Sequence, residues 1–493
     1  MEKWPKRPII YEINTWVWLD ELQKKYRRKI DLAQVPEAEW DSLATYGFDA
    51  VWFMGVWQRS PAGIRISIDD PTLQAVHRQA LADFRNEDVV GSPYCIRGYQ
   101  VDEQLGGPPA LATARQALAQ RGMRLVLDFV PNHVAFDHPW VNEHPEYFVR
   151  GDVADLGRDP AGFYQAGKAV IARGRDPYFP PWPDVAQLNA FQPAERQVVI
   201  QTLDDIAQQC DGVRCDMAML SINRIFQQTW GSRAGSPPGE EYWCDVIPAV
   251  RKRHANFLFI GEAYWDLEWE LIQQGFDFCY DKRLYDRLVE NHVEAFRLHL
   301  LADLAYQDHL IRFIENHDEP RAAAAFPPEK RRVAAVASLT VPGARLLHDG
   351  QFEARPVRTP VMLGRAPAAQ PDLELQAFYR RLLQALQLSA LRQGDWRLGE
   401  VTGWPDNATT QNLVTWNWEK SQERCLVVVN LSANPAQGRV RWPWLDANPA
   451  KWKLSDPIQS VEFSRDGGET GRDGLYIDLP GWGFHFFKVS PSK

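Results

Sequence analysis

One pattern in this chain could do chemistry: charged side chains gathered at the polar ends of apolar runs. In Asp211-Gly212-Val213-Arg214-Cys215-Asp216, Val213 and Cys215 alternate with Arg214 and Asp216. A period of two puts the guanidinium and the carboxylate on one side of a strand. An Arg beside an Asp keeps the carboxylate ionised. A carboxylate so held can be a nucleophile or half of a structural ion pair, and the motif alone does not choose. The pattern returns elsewhere. Residues 124–133 read R-L-V-L-D-F-V-P-N-H and supply Asp128, Asn132 and His133. Residues 257–262 end on Glu262, and residues 310–318 end on His317 and Asp318. Carboxylates crowded together raise the pKa of at least one member. Glycoside chemistry needs such a set, with one carboxylate ionised and one carboxyl still protonated.

Strands must deliver these groups to one rim, and the chain has the rhythm for it. Strands are expected over residues 9–18, 48–56, 124–133, 212–217, 257–262, 276–280, 310–318 and 344–348. Helices are expected at 111–121, 194–210, 245–254 and 374–392, with Gly122 ending the first. The mostly apolar strands fit a parallel sheet covered on both faces. About eight alternating βα units predict an α/β fold of the (β/α)8 barrel type, whose active sites lie at the C-terminal ends of the strands. No G-x-G-x-x-G follows an early strand, which argues against an open dinucleotide-binding sheet. Residues 58–110 read as a long connection rich in Gly, Pro and charge. After residue 394 short strands without helices predict an antiparallel β-sandwich. The expected division is residues 1–133 for the first part of the barrel, 134–190 for a short insert after the third strand, 191–394 for the rest of the barrel and 395–493 for the β-sandwich.

Composition narrows the function. The chain has 493 residues, 45% hydrophobic and 24% charged, an ordinary globular balance. A net charge of −9 gives no reason to expect nucleic acid or an anionic membrane surface as partner. The run from Lys24 to Lys29 reads as a solvated helix face. No apolar run approaches the roughly 20 residues that span a bilayer. The six cysteines lack C-x-x-C spacing, and residues 1–8 carry no signal-like segment, so a cytoplasmic location is expected. The 20 tryptophans suit a sugar-binding protein as well as a large core, and Trp182, Trp265 and Trp269 are candidates for outer sugar subsites.

Taken in order, these segments resemble the signature regions of the α-amylase family of retaining glycoside hydrolases. Asp128-Phe-Val-Pro-Asn132-His133 is similar to the first, Gly212-Val-Arg214-Cys-Asp216 to the second, Glu262 to the third and Asn316-His317-Asp318 to the fourth. The segment from Gly91 through Tyr94 to Gly106 resembles the loop after the second strand, and Gln187-Leu188-Asn189 a short motif at the end of the insert. The resemblance covers residues 9 to about 350. It implies Asp216 as nucleophile, Glu262 as general acid and base, and Asp318 as the group that grips sugar hydroxyls in the transition state. It implies substrate binding by Tyr94, His133, Arg214 and His317, and a structural role at the rim for Asp128 and Asn132. No metal or other cofactor is required by this chemistry. Many relatives bind calcium beside the residue matching Asn132; Asp184 could assist, but the insert lacks a dense Asp cluster.

The pattern also departs from the family. Position 220, often His or Lys in relatives and set at an acceptor subsite, is Leu220, which puts ordinary endo-acting specificity in doubt. Position 98, usually Asp, is Gly98. The leading reading is a retaining α-glycosidase acting on α-glucosides or short α-glucans, with a small-molecule carbohydrate as its partner. A transglycosylase, an isomerase or a phosphorylase would share the first half-reaction, and a non-catalytic binding subunit would share the fold. Linkage, chain length, endo or exo action and oligomeric state are not written in the sequence.

Overall fold

The structure, a computed structural model, describes residues 3–444 and 450–492. Eight parallel strands close a barrel: β1 (Ile9–Asn14), β2 (Ala50–Met54), β3 (Arg124–Phe129), β4 (Gly212–Cys215), β5 (Leu258–Gly261), β6 (Phe278–Tyr280), β7 (Leu310–Arg312) and β8 (Ala344–His348). Each strand pairs with its neighbours in sequence order, and β1 closes the ring against β8 through Ile9 opposite Arg345. The (β/α)8 barrel with a C-terminal β domain is therefore the architecture of this chain. The strands are short, and nearly every residue in them is buried, as a sheet covered on both faces requires.

Three details differ from the sequence expectation. The first strand stops at Asn14 rather than Trp18, because the Asn14 side chain accepts from Val17 N–H and caps a helix over Thr15–Tyr26. The connection after β2 is not structureless. It holds helices Pro61–Asp69 and Pro71–Ala80, started by the caps Ser60 and Asp70 with proline in each first turn. The stretch between β3 and β4 carries a three-stranded antiparallel sheet of Arg150–Gly151, Ala169–Ala172 and Phe163–Ala166. A second pairing, Val185–Gln187 against His133–Ala135, returns that stretch to the barrel rim.

The C-terminal domain has a six-stranded and a three-stranded sheet. Three of its strands, Asp395–Leu398, Glu400–Thr402 and Val461–Asp466, are short edge strands with little apolar periodicity, whereas Lys451–Asp456 lies inside the larger sheet and buries Trp452 and Leu454. The domain packs on the barrel through tryptophans. The indoles of Trp416 and Trp418 both donate to Thr340 O, at 3.1 and 2.7 Å, and the Arg7 guanidinium lies 4.5 Å from the Trp418 ring centre.

One glycine sets the entry to β8. Gly343 has φ +114°, and a Cβ there would lie 2.2 Å from Leu310 O of β7. Both the backbone region and the close approach exclude a side chain. Gly343→Ala is expected to cost about 3 kcal/mol, read as a lowered midpoint in urea unfolding; an unchanged midpoint would contradict this packing.

Candidate active site

The C-terminal ends of the barrel strands open into a cavity of about 450 Å³. Asp216, Glu262 and Asp318 all line it, with Tyr94 and His133. Arg214 lies directly beneath and is fully buried. Its Nη1 donates to Asp216 Oδ1 at 2.7 Å. Its Nη2 lies 2.9 Å from Glu262 Oε2, out of hydrogen-bond alignment, and 3.8 Å from Asp318 Oδ2. One guanidinium thus stands within ion-pair distance of all three carboxylates. Its Cζ lies 5.2 Å from the Tyr94 ring centre and 5.6 Å from those of Trp52 and Tyr280. Aromatic faces supply part of the compensation that a buried cation needs.

The carboxyls differ in their surroundings. Burial is the largest influence on Glu262, and Asp216 and Asp318 add to it; Arg214 opposes them, and the outcome is a pKa of about 7. Glu262 Oε1 accepts from the Tyr264 hydroxyl at 3.0 Å and Oε2 from Met217 N–H at 2.5 Å. Met217 holds a left-handed backbone, φ 44°, to aim that N–H. Asp318 is also pushed up by burial, but His317 and then Arg214 outweigh this and hold it at about 2.

His317 owes its influence to its neighbours. Its Nδ1 lies 2.5 Å from Glu12 Oε1, its Nε2 lies 2.9 Å from Asp318 Oδ2, and the Tyr94 hydroxyl is 2.6 Å from the same Nε2. A neutral imidazole has one donor and one acceptor. With a carboxylate on each ring nitrogen, only the imidazolium can donate to both. Burial opposes that charge, yet Asp318 and Glu12 raise the His317 pKa well above its ordinary value.

The other expected residues brace the rim. Asp128 Oδ2 accepts from Gly55 N–H at 3.0 Å, its carbonyl accepts from the Trp57 indole at 2.7 Å, and burial pushes its carboxyl to about 6. The Asn132 and Gln187 side chains exchange two hydrogen bonds, 3.2 and 2.9 Å, which tie the insert to the end of β3. His133 is buried 5.2 Å from the Trp182 ring. Of the three tryptophans proposed for outer subsites, only Trp182 lines the cavity. Trp265 packs edge-on against Tyr178, and Trp269 against Tyr306. Leu220 is buried in a 3-10 turn, and Cys215 is fully buried in the core. Among the described residues no group of three or more His, Cys, Asp or Glu is arranged to hold a metal ion. Asn132 Oδ1, the candidate calcium ligand, accepts instead from Gln187 Nε2 at 2.9 Å, and no step below passes through a metal.

Sequence reasoning missed Glu12, Tyr264 and Arg358. Glu12 was the lone acid in an apolar strand, a signal that a buried partner must exist. Tyr264 stands two residues after Glu262, on the same side of an extended chain. Arg358, whose Nη1 donates to Asp318 O at 2.5 Å, lies in an irregular loop and left no signal.

A barrel whose C-terminal rim carries three carboxylates around a buried arginine is the arrangement of a glycoside hydrolase site. No family model matches the chain. In sequence it is 24% identical over 442 residues to the α-amylase MalA of Haloarcula japonica, covering 88% of this chain. It spans about half, 56%, of that relative's length. In structure it is similar to an α-amylase from Lactobacillus plantarum, with a TM-score of 0.69, 18% identity and coverage of 98% of this chain and 99% of that one. It is also similar to the α-amylase of Geobacillus thermoleovorans complexed with acarbose, at 0.67, 18% and full coverage of both chains. The chain shares the fold of these α-amylases, and its segments resemble that family's signature regions in the same order.

The Glu262 environment has a consequence for stability. Its folded pKa of about 7 lies above the ordinary value of 4.5. Between those values the folded state binds more protons than the unfolded state, so stability falls as pH rises through that window. Glu262→Gln removes this cost. The variant is expected to melt above the parent protein at about pH 8, with the difference vanishing near pH 4. A variant that melts at or below the parent at the higher pH would contradict the assignment.

Proposed function

We propose that the chain is a retaining α-glycosidase acting on α-glucosides or short α-glucans, without a cofactor. The observation that carries this reading is the gathering of three carboxyls on one buried guanidinium, Asp216 at 2.7 Å, Glu262 at 2.9 Å and Asp318 at 3.8 Å, with burial favouring the protonated form of Glu262 and His317 the ionised form of Asp318. Glu262, protonated, gives its proton to the glycosidic oxygen as the bond to the anomeric carbon breaks. Asp216 attacks that carbon and forms a β-glycosyl ester, and the leaving group departs as an alcohol. Glu262, now ionised, takes a proton from water, whose oxygen displaces Asp216. Two inversions give net retention. Asp318 and the His317 imidazolium grip ring hydroxyls as positive charge develops, and Arg214 holds Asp216 in line. An acceptor sugar or phosphate in place of water would give transfer or phosphorolysis from the same intermediate.

No described helix is long and apolar enough to cross a membrane. The six cysteines are all free, five of them buried, which supports a reducing compartment.

Asp216→Asn is expected to lower turnover of an aryl α-glucoside by about 10⁴-fold or more, since an amide cannot attack; near-normal turnover would exclude the assignment. The first product, followed by NMR, should keep the α configuration, and an inverted first product would rule out the covalent route. Glu262→Gln is expected to impair unactivated leaving groups far more than activated aryl ones. Equal losses would point to another acid.

A further inference from the structure

The cavity has a wall that the bond-breaking chemistry does not itself require. It is built from the loop after β2 and the loop after β8, which are fastened to each other. Val89 and Leu363 form an antiparallel bridge. Val90 N–H donates to Met362 O, and Gly364 N–H to Asp88 O, both at 2.8 Å. Arg365 forks onto Asp88 through Nε at 2.6 Å and Nη2 at 2.7 Å, and its Nη1 donates to Asp83 Oδ1 at 3.0 Å. Leu81, Val89 and Leu363 bury a small apolar cluster of their own, apart from the barrel core. Bidentate charged pairing and main-chain bridging of this kind fix a loop rather than leave it to swing. The inner face of the wall reaches the site: Ser92 and Tyr94 from one loop, and Arg358 and Met362 from the other, line the cavity beside Asp318.

The position of the wall around the ring decides what it excludes. In the closed barrel β1 lies between β8 and β2, so the two loops meet above β1. Glu262 follows β5, the strand diametrically across the ring. A general acid stands on the leaving-group side, because it must reach the glycosidic oxygen. The wall therefore faces the other end of the bound sugar, where a longer chain would continue. Resting on the glycosidase reading above, we infer that this wall ends the donor side of the site at one glycosyl unit. The protein removes terminal α-glucosyl residues and does not cut within a chain.

The test compares para-nitrophenyl α-glucoside with its benzylidene acetal, which caps the sugar hydroxyls furthest from the aryl group. Nitrophenolate release from the capped glucoside is expected to be at least ~100-fold slower, because the cap meets a fixed wall. Comparable release from the two overturns the inference. Arg365→Ala unfastens the fork without touching the cavity lining, and it is expected to narrow that ratio by about tenfold; a ratio left unchanged overturns the role given to the fastening. Release from neither glucoside and none from para-nitrophenyl α-maltotrioside, by protein shown to be folded by circular dichroism, sinks the glycosidase reading itself, whereas release from the trioside alone sinks only the wall. Release from both at similar rates sinks only the wall, so the two failures are told apart.

Discussion

A guanidinium with no access to water governs the chemistry of this barrel. A buried cation is tolerated only where anions, hydrogen bonds and aromatic faces replace its hydration. Arg214 finds these on staves brought round it by the closure of the sheet: Asp216 on its own strand, Glu262 on the next, Asp318 after the seventh, and the rings of Trp52, Tyr94 and Tyr280. Strand register makes this meeting obligatory. Arg214 lies opposite Asp128 on β3 and Ile260 on β5, so the residues just beyond these pairs rise to the same level at the rim.

The same neighbourhood separates the proposed general acid from the carboxylate that grips the sugar. Glu262 and Asp318 are both pushed towards neutrality by burial, and both feel Arg214. What divides them is the imidazolium of His317, which touches Asp318 and leaves Glu262 to its desolvation. His317 in turn depends on Glu12, a carboxylate on the first strand that never reaches the cavity. A charge relay from β1 to β7 thus keeps one carboxylate ionised while its neighbour holds a proton near neutral pH. Such a division leaves Glu262 a proton to give and Asp318 a charge with which to hold the sugar.

Much of this was legible in the sequence because strand chemistry is local. A run such as F-L-F-I-G-E declares a buried strand with one polar end, and period two fixes which side chains share a face. That places Arg214 and Asp216 side by side, while their separate roles came from the resemblance. The placement of β8 could also be read, since Ala344, Leu346 and Leu347 sit in a short run bounded by Gly343 and Gly350. What escaped was non-local. Glu12 gains its meaning from a histidine 305 positions later. The helices after β2 were hidden by their Pro and charge, although Ser60-Pro and Asp70-Pro were cap signals. Trp265 and Trp269 carried the right residue type for a sugar site but turn to neighbouring aromatic rings, and no sequence pattern distinguishes the two fates.

The chain shares the fold of the α-amylases, and the reaction proposed for it rests on Asp216 becoming bonded to sugar. A fluorinated α-glucosyl fluoride, which slows breakdown of a glycosyl ester more than its formation, tests that bond directly when followed by proteolysis and mass spectrometry. The account predicts a single glycosyl adduct on Asp216. An adduct on any other residue, or steady turnover of the reagent with no adduct under denaturing quench, would contradict it.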